Sequence, residues 1–396
     1  MDILSFINLK RLTKCIPFSY KLMIIDYIYS IPYYFFRFLP IKSNQIVLCN
    51  FYGKGFGDNP KYIALELLKH KNKFNLVWLV EKKDDSMPSE IKQIKINSLR
   101  SVIELVRARI WIDNSRKPYY IRKRNGQFYI QTWHGNIMLK KIEGDAEEKI
   151  NLDYLWNAKN DSSIIDLFLS SSSFFTSKIR SSFWYTGQIV ECGSPKIDVL
   201  LNNNKEKIVL IKNTLKINHD KKIAIYAPTF RNNNDLEFYN FNFNFLIEAL
   251  MHKFGDDWIV FKRLHPSINS NSLNQEFNSK VINVSGYSDM QDLLLISDVL
   301  VTDYSSSMFE FALMKKPVFL FTKDISSFIS ERGVYFEFDE LPFKYALDIQ
   351  ELVNNILSFS EKEYLISVDK FFIKINHFEK GNACVQVVNR INQLIN

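Results

Sequence analysis

The chain has 396 residues, of which 46% are hydrophobic, 12 are glycine and 11 are proline. This length predicts two domains with sizeable cores, and the composition argues against a long disordered or low-complexity stretch. The net charge of +8 favours an anionic membrane surface or a polyanionic substrate, whereas no zinc-finger spacing or aromatic RNA-binding strand indicates nucleic acid. The four cysteines lie far apart, which is typical of reduced cytoplasmic thiols.

Residues 1–42 mix basic and aromatic side chains, and we predict that they form amphipathic helices. Lys21, Asp26 and Arg37 interrupt the apolar stretch, so no run of about 20 apolar residues is available to span a bilayer. The pattern favours a segment that lies in the membrane interface. The alternative is that these helices pack on the surface of the protein itself.

Strands and helices alternate from residue 43 onward, which predicts parallel sheets with helices on both faces. A polar stretch at 202–205 is typical of a domain junction, so we predict one domain over 43–205 and a second over 206–396. In the first domain, strands are predicted at Ile46–Cys49, Asn75–Val80, Ile110–Ile112, Gln127–Gln131 and Leu167–Leu169, and helices at Pro60–Lys69 and Ser98–Ala108.

The second domain repeats this architecture. Strands are predicted at Lys222–Ala227, Trp258–Lys262, Val281–Asn283, Val299–Val301 and Pro317–Phe321. Helices are predicted at Phe245–Phe254 and Asp289–Ile296, and over most of the chain beyond Asp348.

The first candidate site is the segment Gln131–Gly135, which leaves a predicted strand. His134 is the residue type that most often accepts a proton near neutral pH, and Gly135 would let a substrate approach the backbone. The alternative is a structural histidine, which is the commoner role of an isolated one. Lys140 and Lys141 follow, and their charges would attract a polyanionic acceptor.

The second candidate site is the serine turn, residues 305–307, at the carboxyl end of a predicted strand. Helix starts offer backbone N–H groups to anions, and ligands of open α/β sheets bind at strand ends. The alternative is a capping box between Ser307 and Glu310. Arg263 and His265 follow another strand of the same half and would donate hydrogen bonds to phosphate oxygens.

Other phosphate-binding motifs are absent from the sequence. The glycine-bearing loop at 51–60 does not match the dinucleotide fingerprint, and no P-loop is found. No Asp-x-Asp pair or His/Cys cluster has metal-ligand spacing, so we expect neither a metal nor a cofactor beyond the donor substrate. The helix start, Arg263 and His265 would suffice to neutralise a diphosphate.

Six segments make the chain similar to a known family. They are Gly57–Lys61, Gln131–Gly135 with Lys140 and Lys141, Gly193–Asp198, Tyr226–Arg231, Arg263–Pro266 and Asp298–Pro317. Together and in this order they resemble the CDP-glycerol glycerophosphotransferase family, which includes the teichoic acid primases and polymerases and similar enzymes that build capsule polymers. Phe328 stands near the position where that family usually has a tyrosine.

The resemblance implies an α/β fold that is GT-B-like, with two Rossmann-type domains facing across a cleft and amphipathic helices at the N-terminus. It implies catalytic roles for His134 and His265 and no metal. The donor-binding residues that it implies are Thr229, Arg231, Arg263, His265, Thr302, Asp303, Ser305, Ser306, Ser307 and Glu310. The acceptor-side residues that it implies are Gly57, Asn59, Trp133, Gly135 and Lys140.

The resemblance also implies a reaction and a location. Glycerol phosphate would pass from CDP-glycerol to a hydroxyl group of a lipid-linked or polymeric acceptor, with release of CMP. The enzyme would be peripheral, on the cytoplasmic face of the cell membrane. Three alternatives stay open: a GT-B glycosyltransferase that uses a nucleotide sugar, a CDP-ribitol polyol-phosphate transferase, and a non-catalytic scaffold that binds polyanions.

Overall fold

The structure is a computed structural model that describes residues 18–71, 73–135, 137–202, 204–231, 241–264 and 279–395. The chain divides into two compact units. The first unit takes the described residues up to Gly135, together with 142–198 and 378–395, and the second takes 137–141 and the described part of 199–377.

The strands alternate with helices along the chain. The strands are β1 (Lys42–Cys49), β2 (Asn75–Val80), β3 (Lys92–Lys95), β4 (Ala108–Asp113), β5 (Phe128–Gln131), β6 (Leu167–Ser170), β7 (Gln188–Glu191), β8 (Lys222–Ala227), β9 (Trp258–Lys262), β10 (Val281–Asn283), β11 (Val299–Thr302), β12 (Val318–Phe321) and β13 (Lys344–Ala346).

The helices are α1 (Phe18–Phe35), α2 (Asp58–Leu68), α3 (Leu99–Arg107), α4 (Leu152–Ile164), α5 (Ser173–Ser182), α6 (Asp198–Leu201), α7 (Lys205–Thr214), α8 (Phe243–Phe254), α9 (Met290–Ile296), α10 (Ser307–Ala312), α11 (Ile325–Arg332), α12 (Ile349–Leu357), α13 (Glu361–Ile375) and α14 (Ala383–Ile395). In the described part of the chain, none of them is both long and apolar enough to cross a membrane.

The first unit is built on a parallel sheet with the strand order β3-β2-β1-β4-β5-β6-β7. The order reverses between β1 and β4, where Cys49 pairs with Asp113 at the carboxyl ends of the two strands. In doubly wound sheets this reversal opens the crevice that binds ligands. The segments that follow β1, β4 and β5 are therefore the place to look for chemistry in this unit.

The N-terminal helix α1 lies on the first unit. Tyr33 is buried, and the rings of Tyr29 and Tyr120 lie 5.3 Å apart. Arg122 forms an ion pair with Asp26 at 2.5 Å. The part of the N-terminal prediction that falls on residues 1–17 lies outside the described residues.

The second unit is built on a parallel sheet with the strand order β10-β9-β8-β11-β12-β13. Here the order reverses between β8 and β11, where Ala227 pairs with Thr302. The backbone continues from these two residues into the segments that carry Thr229 and Asp303. Each unit thus has the doubly wound, Rossmann-type arrangement.

The unit boundaries differ from the predicted ones, since the last residues of the chain join the first unit. Helix α14 places Val387, Val388 and Ile391 in the same apolar cluster as β1 and β2. Asp198 accepts hydrogen bonds from the backbone N–H groups of Ala383 at 3.0 Å and Cys384 at 2.7 Å. An amphipathic helix shows in its sequence which face is buried, but not which sheet will bury it.

Candidate active site

The imidazole of His134 has a fixed tautomer. Its Nδ1 lies 2.7 Å from the backbone carbonyl oxygen of Asn114, which follows β4 directly. Because a carbonyl oxygen can only accept, Nδ1 carries the hydrogen and Nε2 presents a lone pair. Burial lowers the pKa of His134 below its ordinary value, against the opposing effects of the Asn114 carbonyl and the Asp58 carboxylate. The ring is therefore neutral near pH 7 and able to take a proton at Nε2.

The backbone around His134 is held by two residues from other segments of the first unit, Asn59 in the first turn of α2 and Lys196 in the turn before α6. Lys196 Nζ donates to the His134 carbonyl oxygen at 2.7 Å and pairs with Asp58 at 2.9 Å. Asn59 Nδ2 donates to the Trp133 carbonyl oxygen at 2.9 Å, while Asn59 Oδ1 accepts from the Lys196 N–H at 3.0 Å. Asn59 is 0% exposed, so it acts on the loop from inside the protein.

The loop after β1 is tied to the same strand ends. Asn114 Oδ1 accepts from the Phe51 N–H at 2.9 Å, and Asn114 Nδ2 donates to Asn50 Oδ1 at 2.8 Å. Asn114 thus connects the segments that follow β1, β4 and β5. It does so with its backbone carbonyl, which contacts His134, and its side-chain amide, which contacts Asn50 and Phe51. Gly57 is buried and precedes α2 with an extended backbone, close to Asn50.

Backbone strain is concentrated around His134. Four residues there have left-handed φ angles: Phe51 at 40°, Tyr52 at 58°, Asp58 at 54° and Trp133 at 52°. Such a conformation costs a residue other than glycine about 1 kcal/mol or more, and it persists where the surrounding structure enforces it. Strained backbone of this kind is typical of functional sites, so it supports the assignment independently of residue type.

Two aromatic rings enclose the imidazole. Trp133 is stacked on His134 with ring centroids 4.6 Å apart and an interplanar angle of 26°, and the Phe51 ring lies 5.0 Å from the imidazole. Trp133 and Gly135, which were predicted on the acceptor side, are both buried. His134 itself keeps part of its surface exposed.

Lys140, the remaining residue of the predicted acceptor side, lies in the second unit. It pairs with Glu331, and its Nζ lies 4.9 Å from the centre of the Phe328 ring. The adjoining backbone is paired as well, because the Lys141 N–H donates to the Gly333 carbonyl at 3.1 Å. The segment 137–141 is thus built into the second unit.

In the second unit, Asp303 is the centre of the turn that follows β11. Its carboxylate is 1% exposed and accepts from the Thr229 N–H at 2.9 Å, the Thr229 hydroxyl at 3.0 Å and the Tyr304 N–H at 2.6 Å. Thr302 Oγ1 donates to the Ala227 carbonyl at 2.7 Å. Burial raises the pKa of Asp303, and the charge of Arg231 opposes this effect. These residues join the ends of β8 and β11.

The guanidinium of Arg231 is engaged by acceptors of the protein itself. Nε donates to Asp324 at 2.7 Å, Nη2 donates to Asp303 at 2.8 Å, and Nη1 donates to the Thr229 carbonyl at 3.0 Å. Burial lowers the pKa of Arg231, but the bonds to Asp324 and the charges of both carboxylates outweigh it and raise the pKa overall. The structure thus places Arg231 where it shapes the turn.

An aromatic column supports the serine turn from one side. The Tyr304 and Phe328 rings are stacked with centroids 3.8 Å apart at 10°, and the Arg231 guanidinium lies 4.9 Å from the Tyr304 ring centre. Tyr304 also donates its hydroxyl hydrogen to Asp324 at 2.7 Å. Because Tyr304 directly precedes Ser305, the column fixes where the turn begins.

The serine turn differs from the capping-box alternative. Helix α10 has six residues, and Ser306 precedes it without a side-chain capping bond. Ser307 donates its hydroxyl hydrogen to Ser305 Oγ at 2.9 Å, and Glu310 accepts from Gln291 at 2.7 Å. Ser305, Ser306 and Glu310 are partly exposed, whereas Ser307 is buried.

The basic element after β9 is described in part. Arg263 Nη1 donates to the Tyr287 carbonyl at 2.6 Å and lies 3.4 Å from the Val284 carbonyl, so it shapes the loop after β10. Burial lowers the pKa of Arg263. His265 lies outside the described residues. Across the described ranges, no group of three or more His, Cys, Asp and Glu side chains is arranged to hold a metal ion.

The sequence prediction did not include Asn114 or Lys196 among the site residues. Asn114 lies in the polar run Asp113-Asn114-Ser115 after a strand, at the reversal of strand order. The rule that ligands bind at such a reversal would therefore have pointed to Asn114. Lys196 lies in one of the family-like segments, but only the fold shows its contact with the His134 carbonyl.

Proteins of one known family match this chain over almost its whole length. Residues 31–393 match the family described as CDP-Glycerol:Poly(glycerophosphate) glycerophosphotransferase. The teichoic acid poly(glycerol phosphate) polymerase of Bacillus spizizenii is 30% identical over 381 residues, which cover 92% of this chain and 96% of that protein. The teichoic acid glycerol-phosphate transferase of Staphylococcus aureus is 33% identical over 369 residues, with coverage of 89% and 94%.

The fold has a match among solved structures. A structure of the wall teichoic acid polymerase TagF, soaked with CDPG, superposes with a TM-score of 0.82 at 29% sequence identity. The match covers 94% of this chain and 95% of that chain. The predicted α/β, GT-B-like fold is thereby confirmed.

Proposed function

We propose a division of roles among the residues of this chain, which belongs to the CDP-glycerol:poly(glycerophosphate) glycerophosphotransferase family. The chain is a glycerophosphotransferase of teichoic acid synthesis, and its reaction moves glycerol phosphate from CDP-glycerol to a hydroxyl group of the polymer. His134 is the general base in this proposal. Ser305, Ser306 and Glu310 face the donor, while Asp303 and Arg231 hold the turn in shape.

The proposed step balances as follows. Nε2 of His134 takes the hydrogen of the acceptor hydroxyl, and the oxygen forms a bond to the phosphorus of the glycerol phosphate unit. The bond from that phosphorus to the CMP oxygen breaks, and CMP leaves with the electron pair. The observation that carries the proposal is the Nδ1 contact with the Asn114 carbonyl, because it leaves Nε2 as the atom with a lone pair.

The donor side is supported by how completely contacts within the protein fix its turn. Asp303 and Arg231 are joined at 2.8 Å, and their contacts fix Thr229 and Tyr304 on either side of the strand ends. A preformed polar turn stabilises charge on a reacting phosphate without having to reorganise first. Arg263 and His265 are the cationic groups proposed to neutralise the leaving CMP.

A panel of donors tests this function. We expect CDP-glycerol to release CMP and to lengthen a glycerol phosphate acceptor, with kcat/KM at least roughly tenfold above that of CDP-ribitol. Nucleotide sugars should give no product. The measurement is CMP release together with product size, using purified full-length protein. Preference for CDP-ribitol would favour the polyol alternative, preference for a nucleotide sugar would favour a glycosyltransferase, and no turnover with any donor would favour the scaffold.

We also propose that helix α1 attaches the protein to an anionic membrane surface. Large apolar side chains recur every three or four residues along one exposed face of the helix and its extension. They are Tyr20, Met23, Tyr27, Ile31, Tyr34, Phe35 and Phe38. The opposite face is fixed to the first unit through Leu22 and Tyr33. Basic residues at Arg37 and 122–124 lie beside the helix, where their positive charges would attract anionic headgroups.

Removing two aromatic rings from this face should release the protein from lipid. Phe35 and Phe38 are 66% and 72% exposed, so the double variant Phe35→Ser/Phe38→Ser should fold normally. We expect its partition onto phosphatidylglycerol-containing vesicles to fall at least roughly tenfold, because each ring loses its apolar burial in the interface. Vesicle sedimentation measures the effect.

The matched control is Ile373→Ser on α13 of the second unit, where the side chain is 77% exposed. Its vesicle binding should equal that of the unaltered protein. Equal binding by the double variant and the unaltered protein would contradict a membrane role for this face.

A further inference from the structure

A buried cluster of charges lies behind the candidate base, outside the residues considered so far. Arg116 has a side chain that is 1% exposed and donates to Glu143 and to Asp161, each at 3.2 Å. It also donates to Ser162 Oγ at 2.8 Å. Burying three charged groups is costly for a protein, and replacing such a cluster with apolar residues is often neutral or stabilising. Its presence next to the active site therefore suggests a role besides stability.

The guanidinium of Arg116 lies against the ring on which His134 is stacked. Its central carbon is 5.5 Å from the centre of the Trp133 ring and 5.1 Å from that of Phe183. Trp133 meets Phe183 edge-on at 4.8 Å, and its stacked contact with the imidazole is 4.6 Å. Arg116, Trp133 and His134 thus form one continuous stack within the first unit.

We propose that Arg116 is a positioning residue for the transfer reaction and acts on His134 through Trp133. The inference rests on the proposed role of His134 as the base. Trp133 has a left-handed φ of 52°, which its backbone holds only under constraint. The cation–π contact with the guanidinium and the edge contact with Phe183 fix the indole. The indole in turn keeps the imidazole plane aligned with the Asn114 carbonyl.

The cluster also contributes to the electrostatics of the base. One guanidinium and two carboxylates leave one excess negative charge behind the indole. The charged groups that face His134 are Asp58 and Lys196 at the loop and Glu143 in the cluster. Asp58 and Glu143 favour the imidazolium that forms when Nε2 takes a proton, whereas Lys196 opposes it. The stack therefore orients the ring, while Asp58 and Glu143 favour its charged form in the transition state.

Arg116→Lys tests the proposal, because lysine keeps the charge but cannot stack as a plane or bridge two carboxylates. We expect kcat to fall roughly 10- to 100-fold, while KM for CDP-glycerol and its affinity by calorimetry stay within about threefold. The pH at which kcat/KM falls on the acid side of its pH profile should also shift. The control is Arg180→Lys, which alters an exposed arginine lying 6.0 Å from the Tyr185 ring centre and should leave all values unchanged.

Two variants of Trp133 keep the test decisive if Arg116→Lys folds poorly. Trp133→Phe preserves an aromatic face and should retain kcat within about fivefold, whereas Trp133→Leu should lose as much as Arg116→Lys. The double variant Arg116→Lys/Trp133→Leu should be no slower than Trp133→Leu alone, because both changes break one stack. Additive losses, or an unchanged kcat and pH profile in Arg116→Lys, would overturn the proposal. Normal activity of His134→Ala would instead refute the base itself.

Discussion

Replacing His134 with alanine should reduce glycerol phosphate transfer by a factor of roughly 10² to 10⁴. The variant removes Nε2, the only nitrogen of this ring that can accept a proton while Nδ1 is bonded to the Asn114 carbonyl. Affinity for CDP-glycerol should stay within about threefold, because the residues proposed to bind the donor belong to the second unit. CMP release and calorimetry measure the two effects separately.

The pH dependence of the unaltered enzyme identifies the same group. Protonation of Nε2 at low pH removes the lone pair, so kcat/KM should fall as the pH drops through the pKa of His134. Burial lowers that pKa, so the midpoint of the acid limb should lie below the ordinary histidine value of about 6.5. His70→Ala, which alters an exposed histidine of the first unit, is the control and should be fully active. An acid limb that survives in a residually active His134→Ala would assign it to another group.

Replacing Asp303 with asparagine should both destabilise the second unit and abolish tight donor binding. The carboxylate is buried, pairs with Arg231 at 2.8 Å, and accepts hydrogen bonds from Thr229 and Tyr304. Asparagine would turn an NH₂ group toward some of the groups that donate to Asp303. It would also remove the negative charge that balances the guanidinium of Arg231. We expect a loss of about 3 kcal/mol in the free energy of unfolding, measured with urea. Affinity for CDP-glycerol should fall at least roughly tenfold, since the turn loses its shape.

The matched control is Asp369→Asn in the same unit. Asp369 pairs with Lys315 at 3.0 Å, but both side chains are more than half exposed. An exposed pair contributes little, so the change in the free energy of unfolding should stay within about 0.5 kcal/mol. If both variants behaved alike, the buried network would have no special part in holding the turn.

The interior strands were predictable from the sequence, and several edge strands were not. β2, β8 and β9 are short apolar runs buried on both faces, and their observed bounds equal the predicted ones. The missed strands are β3, β7 and β13, each with one neighbour in its sheet. Their sequences are polar and half-exposed, because a strand at an edge buries little surface, so they lack the apolar run that indicates a strand.

The site was predictable to the extent that residue type indicates chemistry. His134 stood out because few side chains accept a proton near neutral pH, and the structure supplies the contact that fixes its tautomer. The role of Arg231 could not be foreseen, since a cation near a strand end suggests an anionic ligand. Its partner Asp324 is 93 residues away in the sequence. A contact to a backbone carbonyl, such as the one that Lys196 makes, depends on how the chain folds, so residue type alone does not predict it.

The return of helix α14 to the first unit has a consequence for biosynthesis. The apolar cluster of that unit includes Val387, Val388 and Ile391, which are synthesised long after the strands that they cover. At typical rates of translation, roughly 10 to 40 s separate the synthesis of residue 198 from that of residue 395. During that interval the nascent first unit carries an uncovered apolar face, while the internal second unit is free to fold earlier. The protein is therefore expected to depend on chaperones that shield emerging chains.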